Sequence, residues 1–323
     1  MAQAVLVRRT GGPEVLTYEE HDPGPPAAGA VRVRVTAAGV NFIDVYFRTG
    51  LYPAELPIVL GREGAGVVEA IGAGVDGLAP GARVCWAMVP GSYAQAANIP
   101  ADKLVAVPDG VSDEAAAGAM LQGMTAHYLV HSTRPASSGD MALVHAAAGG
   151  VGLLLIQMLS RLGVRVAGTC STDEKAELVQ AAGADRVINY TTEDFAERVA
   201  EWTDGRGVDV VYDSVGASTF EGSVQSLRPR GMMVLFGQSS GPVPPFDLNR
   251  LNPLGSVYVT RPSLIHYIQD RAELELRARA VLDAVADGSL KIRIGRQFPL
   301  ADAADAHRAL EGRQTAGKIV LTC

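Results

Sequence analysis

Apolar and polar residues alternate with period two along Val31-Arg-Val-Arg-Val-Thr36, the pattern of a strand with one buried face. Gly66-Val-Val-Glu-Ala-Ile71 and Ala82-Arg-Val-Cys-Trp-Ala87 predict two more short strands. Clusters such as Asp22-Pro-Gly-Pro-Pro26, Gly72-Ala-Gly74 and Ala79-Pro-Gly81 predict turns between them. Short strands punctuated in this way predict a β-rich barrel or sandwich at the start of the chain. The period changes after Ser112, a candidate N-cap for an Ala-rich helix over residues 113–130. Strands at 141–145, 164–168, 186–188, 208–212 and 232–236 then alternate with helices at 150–162, 173–182, 193–202 and 218–227. That rhythm predicts βαβ units and a doubly wound α/β domain with a parallel sheet. From about residue 261 it stops, and helices at 273–286 and 301–310 with a strand at 318–322 predict a segment that returns to the first domain. The expected organisation is a β-rich substrate domain over 1–124, rejoined by 261–323, and a dinucleotide-binding domain over 125–260.

Composition narrows the choice of partners. The 323 residues carry a formal net charge of -7, which argues against a broad footprint for nucleic acid or anionic lipid. Three cysteines supply neither a disulfide framework nor a four-Cys zinc lobe. No apolar run approaches the length of a membrane span, and the N-terminus lacks the order of a secretion signal. A reducing, cytoplasmic setting is the expectation.

The sharpest chemical signal is Met141-Ala-Leu-Val-His-Ala-Ala-Ala-Gly-Gly-Val-Gly152, a strand running through Ala147-x-Gly149-x-x-Gly152 into an apolar helix. It is the dinucleotide fingerprint with Ala147 in place of the first glycine. Gly149 would let the backbone approach a pyrophosphate, Gly152 would let the helix pack closely, and the helix N-terminus would face the phosphates with free N–H groups. The bland alternative, a glycine-rich turn that binds nothing, is disfavoured by the βα units that follow. A carboxylate at the end of the second strand would hold a ribose 2′-OH, but that strand ends Gly168-Thr-Cys-Ser-Thr172. Ser171 and Lys175 suit a 2′-phosphate instead, so NADPH is the expected cofactor; Lys175 reads equally well as part of a solvated helix face.

With these motifs in order, the chain resembles the zinc-free quinone oxidoreductases related to zeta-crystallin, within the medium-chain dehydrogenase/reductase superfamily. The resemblance rests on Gly11-Gly-Pro-Glu-Val-Leu16, Gly39-Val-Asn-Phe-Ile-Asp-Val-Tyr46, Gly50-Leu-Tyr-Pro53, Gly139-Asp-x-x-Leu143, Ala147-Ala-Gly-Gly-Val-Gly152 and Gln157-x-x-Ser160. It continues through Val187-Ile-Asn-Tyr190, Tyr212-Asp-Ser-Val-Gly216, Phe236-Gly-Gln-Ser-Ser-Gly241 and Thr260-Arg-Pro-Ser-Leu264. It implies a GroES-like β-rich domain and a Rossmann-type domain. The zinc-containing branch has Gly-His-Glu where this chain has Gly61-Arg-Glu63, and a cysteine where this chain has Asn41. Asn41 and Arg62 are not zinc ligands, and Met120-Leu-Gln-Gly-Met-Thr125 lacks Cys and His, so no metal is expected.

The resemblance also implies site residues. Asn41, Phe42, Asp44 and Tyr46 would lie near the nicotinamide, with Thr125 and Tyr128 beside it. Gly149, Gly150 and Val151 would touch the pyrophosphate; Ser171, Lys175 and Tyr190 would surround the 2′-phosphate. Val215, Phe236, Gly237, Ser239, Pro262, Ser263 and Leu264 would line the nicotinamide side, with Gly317 or Lys318 approaching the cofactor. Asn41, Tyr46 and Tyr52 are the catalytic candidates: Asn41 or Tyr46 as hydrogen-bond donor to an acceptor carbonyl, Tyr46, Tyr52 or water as proton source. Tyr46 and Tyr52 read equally well as amphipathic wall residues.

Four patterns read as decoys. Gly237-Gln-Ser-Ser-Gly241 fits a nucleophile elbow, but Pro242-Val-Pro-Pro245 denies it the helix that must follow. His145 reads as a packed, hydrogen-bonded residue, and His127 with His131 as a structural pair on one helix face. Cys170 reads as inert packing. The expected activity is hydride transfer from NADPH to a quinone, with a reductase of α,β-unsaturated ketones or aldehydes, or a non-catalytic NADPH- or RNA-binding protein, as alternatives. A homodimer is expected, with residues 255–260 pairing across a twofold axis.

Overall fold

The computed structural model describes residues 2–323, which fall into two compact units, 2–124 with Tyr267–Cys323, and Thr125–His266. The first unit begins with β1 (Ala2–Val7) and β2 (Leu16–His21), which pair antiparallel. β3 (Ala30–Val40) follows, its Val31, Val33 and Val35 buried as their alternation predicts. α1 (Phe42–Thr49) opens with a capping box between Asn41 and Asp44 and stops at Gly50, whose φ of 80° a side chain would disfavour. Then come β4 (Ile58–Val59), β5 (Glu63–Ile71), β6 (Arg83–Ala87), β7 (Ala96–Pro100), β8 (Val105–Ala106) and α2 (Asp113–Tyr128).

The second unit holds β9 (Met141–Val144), α3 (Gly150–Arg161), β10 (Arg165–Cys170), α4 (Asp173–Ala181), β11 (Arg186–Asn189), α5 (Phe195–Trp202), β12 (Val208–Asp213), α6 (Phe220–Gln225), β13 (Leu227–Leu235) and β14 (Tyr258–Thr260). Its six strands lie in the order β11-β10-β9-β12-β13-β14, all parallel. Every residue of β9 and β12 is buried, as central strands covered on both faces require. The order reverses between β9 and β12. In such sheets that switch point is where ligands bind, outside the carboxyl ends of the strands.

The chain then returns. α7 (Arg271–Ala286), β15 (Ile294–Pro299), α8 (Ala303–Glu311) and β16 (Lys318–Thr322) belong to the first unit. β16 pairs antiparallel with β3 through Ile319↔Val40 and Thr322↔Ala37, and parallel with β15. The tail therefore completes a seven-stranded sheet, β15-β16-β3-β5-β6-β8, with β7 also on β3. The first domain is thus a GroES-like β-rich fold built from both ends of the chain, and the second is of the Rossmann type.

One packing detail explains the altered fingerprint. Ala147 is buried and its N–H donates to Thr169 O (2.9 Å). A Cβ on Gly168 would fall 2.8 Å from the Ala147 methyl and 2.7 Å from Val179 Cγ1. The missing side chain on β10 makes room for the extra carbon in the turn. Gly168→Ala should cost about 1–3 kcal/mol by overpacking. Adding Ala147→Gly should recover part of that loss, as a urea-unfolding comparison of the single and double variants would show.

Candidate functional site

In the second unit, chemistry gathers at the carboxyl ends of the strands. α3 begins directly after Gly149 with no side-chain cap and no acid in its first turn. Gly150 and Val151 are half-buried there. A Cβ on Gly152 would come within 2.5 Å of Ala146 O and 2.6 Å of Ala147 O, so glycine lets the helix start against the turn. Ala146 itself sits at φ 48°, a left-handed conformation that costs a non-glycine residue energy. The result is a helix N-terminus that offers N–H groups and partial positive charge to an anion.

At the next strand end, β10 stops at Cys170, and no carboxylate occupies its tip. Lys175 Nζ reaches Ser171 Oγ at 3.5 Å, and Thr172 caps α4 by accepting from Lys175 N. Tyr190 N–H donates to Cys170 O (3.1 Å), which brings Tyr190 to the same corner. Asp173 and Glu174 stand in the first turn of α4 instead. The ends of β12 and β13 are joined by Asp213, whose Oδ1 accepts from the N–H groups of Val215 (2.7 Å) and Gly216 (3.1 Å). Phe236 N–H donates to Asp213 O (2.8 Å), and Ser239 N–H to Ser214 O (3.1 Å). Gly237 is half-buried on this edge, as are Ser263 and Val215, while Thr125, Tyr128, Pro262 and Leu264 are buried.

In the first unit, Asn41 is the hub of a buried polar network. Its Nδ2 donates to Gly39 O (3.2 Å) and Glu63 Oε2 (2.9 Å), and its Oδ1 accepts from Lys318 Nζ (2.8 Å) and Gln122 Nε2 (3.2 Å). Lys318 Nζ also donates to Glu63 Oε2 at 2.5 Å, and Leu121 N–H to Glu63 Oε1 at 2.5 Å. Glu63 and Lys318 are 0% and 1% exposed. Burial lowers the Lys318 ammonium from its ordinary range, and Glu63 and Asp44 pull it back. A Cβ on Gly39 would strike Glu63 Oε2, Ala117 O and Lys318 Cε, so this cluster exists only beneath a glycine.

A second chain of bonds starts at Asp44, whose Oδ2 accepts from Asn41 N (2.9 Å) and Tyr93 OH (3.1 Å). Tyr93 OH lies 3.2 Å from His307 Nε2, and His307 Nδ1 lies 3.0 Å from Arg48 Nη1. Arginine can only donate, so His307 accepts at Nδ1 and carries its proton at Nε2, facing Tyr93. Arg48 forks onto both carboxylate oxygens of Glu311 at 2.8 Å. Burial raises the Asp44 carboxyl to about 7 against the help of Asn41, Lys318 and Tyr93, and burial with Arg48 lowers His307 to about 3. Beside this chain the rings of Phe42, Tyr46, Tyr52 and Phe47 form a string, with centroids 6.3, 5.2 and 5.6 Å apart.

The comparisons with known proteins match this geometry. An alcohol dehydrogenase GroES-like domain model covers residues 27–135, and a zinc-binding dehydrogenase model covers residues 182–321. A quinone oxidoreductase of Pseudomonas aeruginosa is 46% identical over 99% of both chains. This chain belongs to the quinone oxidoreductases of the medium-chain dehydrogenase/reductase superfamily. A 2-haloacrylate reductase of a Burkholderia species is also 46% identical over 99% of both chains. The crystal structure of Escherichia coli quinone oxidoreductase complexed with NADPH superposes with a TM-score of 0.97, at 44% identity, over 99% of this chain and 100% of that one.

The zinc named by one of these models does not fit the donors present. Glu63 is committed to Lys318, Asn41 and Leu121, a lysine ammonium already supplies the positive charge, and Asn41 and Arg62 are not zinc ligands. Two of the expected site residues are engaged inside the protein. Asn41 has both amide hydrogens engaged inside the protein, so it holds none for an acceptor carbonyl. Lys318 is enclosed, its ammonium bonded to Glu63 and Asn41. Sequence reasoning passed over Tyr93, Arg48 and His307, and it read Gln122 and Glu63 only as parts of motifs. His145 is fully buried between Thr169 Oγ1 (3.1 Å) and Ser223 Oγ (3.0 Å), a packed residue. No helix follows Ser239, and the rings of His127 and His131 lie 4.5 Å apart on one helical stretch.

Removing one member of the enclosed ion pair should be costly. Lys318→Met should destabilise by about 3–5 kcal/mol, because it strands the Glu63 charge. Lys318→Met with Glu63→Gln should recover much of that, measured by urea unfolding.

Asp44 and His307 give opposite pH signs. Asp44 titrates near 3.8 when unfolded and about 7 when folded, so its contribution is full below 3.8 and lost as pH rises through 7. His307 moves from 6.5 to about 3, so its contribution is full above 6.5 and lost as pH falls towards 3. In Asp44→Asn, stability should climb more steeply from pH 4 to 6.5 than in the parent protein; in His307→Gln it should climb less steeply than in the parent. Denaturation midpoints across pH would refute the assignment by showing parallel profiles.

Proposed function

We propose that this chain is an NADPH-dependent quinone reductase. Its main support is the Ser171–Lys175 pair at the end of β10, where a carboxylate would repel a 2′-phosphate and a lysine attracts it. The uncapped start of α3 at the sheet's switch point suits the pyrophosphate, with Gly149, Gly150 and Val151 approaching it. Tyr190 completes the adenosine corner. The relatives named above extend the reading from cofactor to acceptor.

Bound NADPH would supply a hydride to the quinone. One proton from water balances the reaction, giving NADP⁺ and a hydroquinone. The protein's part is to hold, orient and exclude water. We assign the phenols of Tyr46 and Tyr52 as donors to a carbonyl oxygen that gains negative charge, because both amide hydrogens of Asn41 are engaged within the protein. Asn41 instead fixes the entry of α1, and with it the position of Tyr46. The 2-haloacrylate reductase relative supports a second reading, reduction of a conjugated C=C bond by the same hydride.

We also propose that the protein acts in the cytoplasm as a homodimer. β14 is an edge strand with Tyr258 57% and Val259 37% exposed, an edge that favours pairing with a second copy. No described helix is long and apolar enough to cross a membrane.

Following nicotinamide absorbance with 1,4-benzoquinone tests the activity; absence of turnover with any quinone removes it. Lys175→Ala should raise KM for NADPH by about tenfold or more through loss of a charged contact, with a smaller change for NADH. Equal losses for both cofactors would remove the 2′-phosphate assignment.

A further inference from the structure

Arg62 follows Gly61 at the start of β5 and is half-buried. Its guanidinium carbon lies 3.7 Å from the centroid of the Phe47 ring, at the end of the string Phe42–Tyr46–Tyr52–Phe47. Among the described residues, no side chain forms an ion pair or hydrogen bond with it. Arg48 and Arg83, by contrast, are each locked onto a carboxylate, Glu311 and Asp113. The anion that acts on Arg62 is Asp44, through space, and burial holds that carboxyl near 7, so much of it is neutral at neutral pH.

A planar cation fixed on an aromatic face has its fork of N–H donors oriented and unspent. Such a fork matches a carboxylate, which can accept two parallel bonds. Its stacking partner Phe47 meets the Tyr52 ring edge-on, and Tyr52 in turn meets the Tyr46 ring. Partial burial weakens competition from water, so an added negative group would gain more there than at an open surface.

We propose that Arg62 is a recognition site for a carboxylate carried by the electron acceptor, so that the enzyme favours acidic quinones or conjugated acids over their neutral counterparts. The proposal rests on the reductase reading above and specifies its substrate class. Phe47 orients the guanidinium, and the tyrosine rings bound the apolar body of the acceptor.

The test compares 1,4-naphthoquinone with a 1,4-naphthoquinone bearing a carboxylate-terminated side chain, using NADPH and the full-length protein. The ratio of kcat/KM for the acidic quinone to that for the neutral one should fall by about tenfold or more in Arg62→Gln, mainly through KM. Arg62→Lys should keep part of the ratio, because it keeps the charge but loses the fork. Loss of the preference in high salt would accompany it. An unchanged ratio in Arg62→Gln overturns the proposal. Should neither quinone be turned over, the quinone reading fails, and calorimetry still decides for Arg62. Binding of the acidic quinone to the parent protein and weaker binding to Arg62→Gln supports the carboxylate site; equal or absent binding to both sinks it.

Discussion

The enclosed pair of Lys318 and Glu63 is the constraint around which the first domain is organised. Two opposite charges with almost no exposure cannot be separated without leaving one uncompensated in a medium that solvates it poorly. Glu63 opens β5 and Lys318 opens β16, 255 positions apart in sequence. The pair therefore holds the last strand of the chain against one of its first. β16 accordingly lies on β3, and the C-terminal segment cannot be an independent appendage. Gly39 follows from the same demand, because any side chain there would occupy the space of the two charged groups. The bond network continues through Asn41 into the cap of α1, so the helix bearing Tyr46 starts where the buried charges allow it to start.

The Rossmann-type domain is organised by an opposite principle. Its ligand edge leaves polar capacity open rather than closing it. α4 and α5 have side-chain caps, from Thr172 and Asp194, whereas α3 at the switch point has none. Asp213 closes the neighbouring strand ends by binding two backbone N–H groups, which keeps that part of the edge rigid. His145, bonded on both ring nitrogens and fully buried, stiffens the strand just beneath the phosphate turn without chemistry of its own.

Local order was legible in the sequence where local physics decides it. The period-two run at Val31-Arg-Val-Arg-Val-Thr36 lies inside β3, and each βα repeat from residue 141 onwards has its counterpart, with boundaries moved by a few residues. The predicted helix at 218–227 shrinks to Phe220–Gln225 because Ser226 and Leu227 already lead into β13. β1, β2, α1 and β7 had no such reading, since their sequences are short, mixed in polarity or apolar throughout. The glycine turn into α3 and the Ser171–Lys175 contact each span a few consecutive residues, so their local geometry could be located from sequence. The Glu63–Lys318–Asn41 and Asp44–Tyr93–His307–Arg48 networks were not. Their members lie tens to hundreds of residues apart, and nothing in spacing or hydropathy marks a charged residue that will be buried against a distant partner.

Those hidden networks also decide which groups are left for chemistry. An amide with every donor and acceptor satisfied is a structural part, however close it stands to a reacting molecule, because freeing one hydrogen would break a buried bond worth about 1–3 kcal/mol. Asn41 is in that position, and so is the Glu63 carboxylate. Tyr93 is likewise tied to Asp44 and His307. Beside these closed circuits stand the aromatic string and the guanidinium stacked at its end. A surface of flat rings bordered by one oriented cation suits a planar, electron-poor molecule with an acidic substituent better than it suits an alcohol. Closing the polar core thus anchors the two ends of the chain together, and under the proposal above recognition of the acceptor falls to ring faces and a single charge.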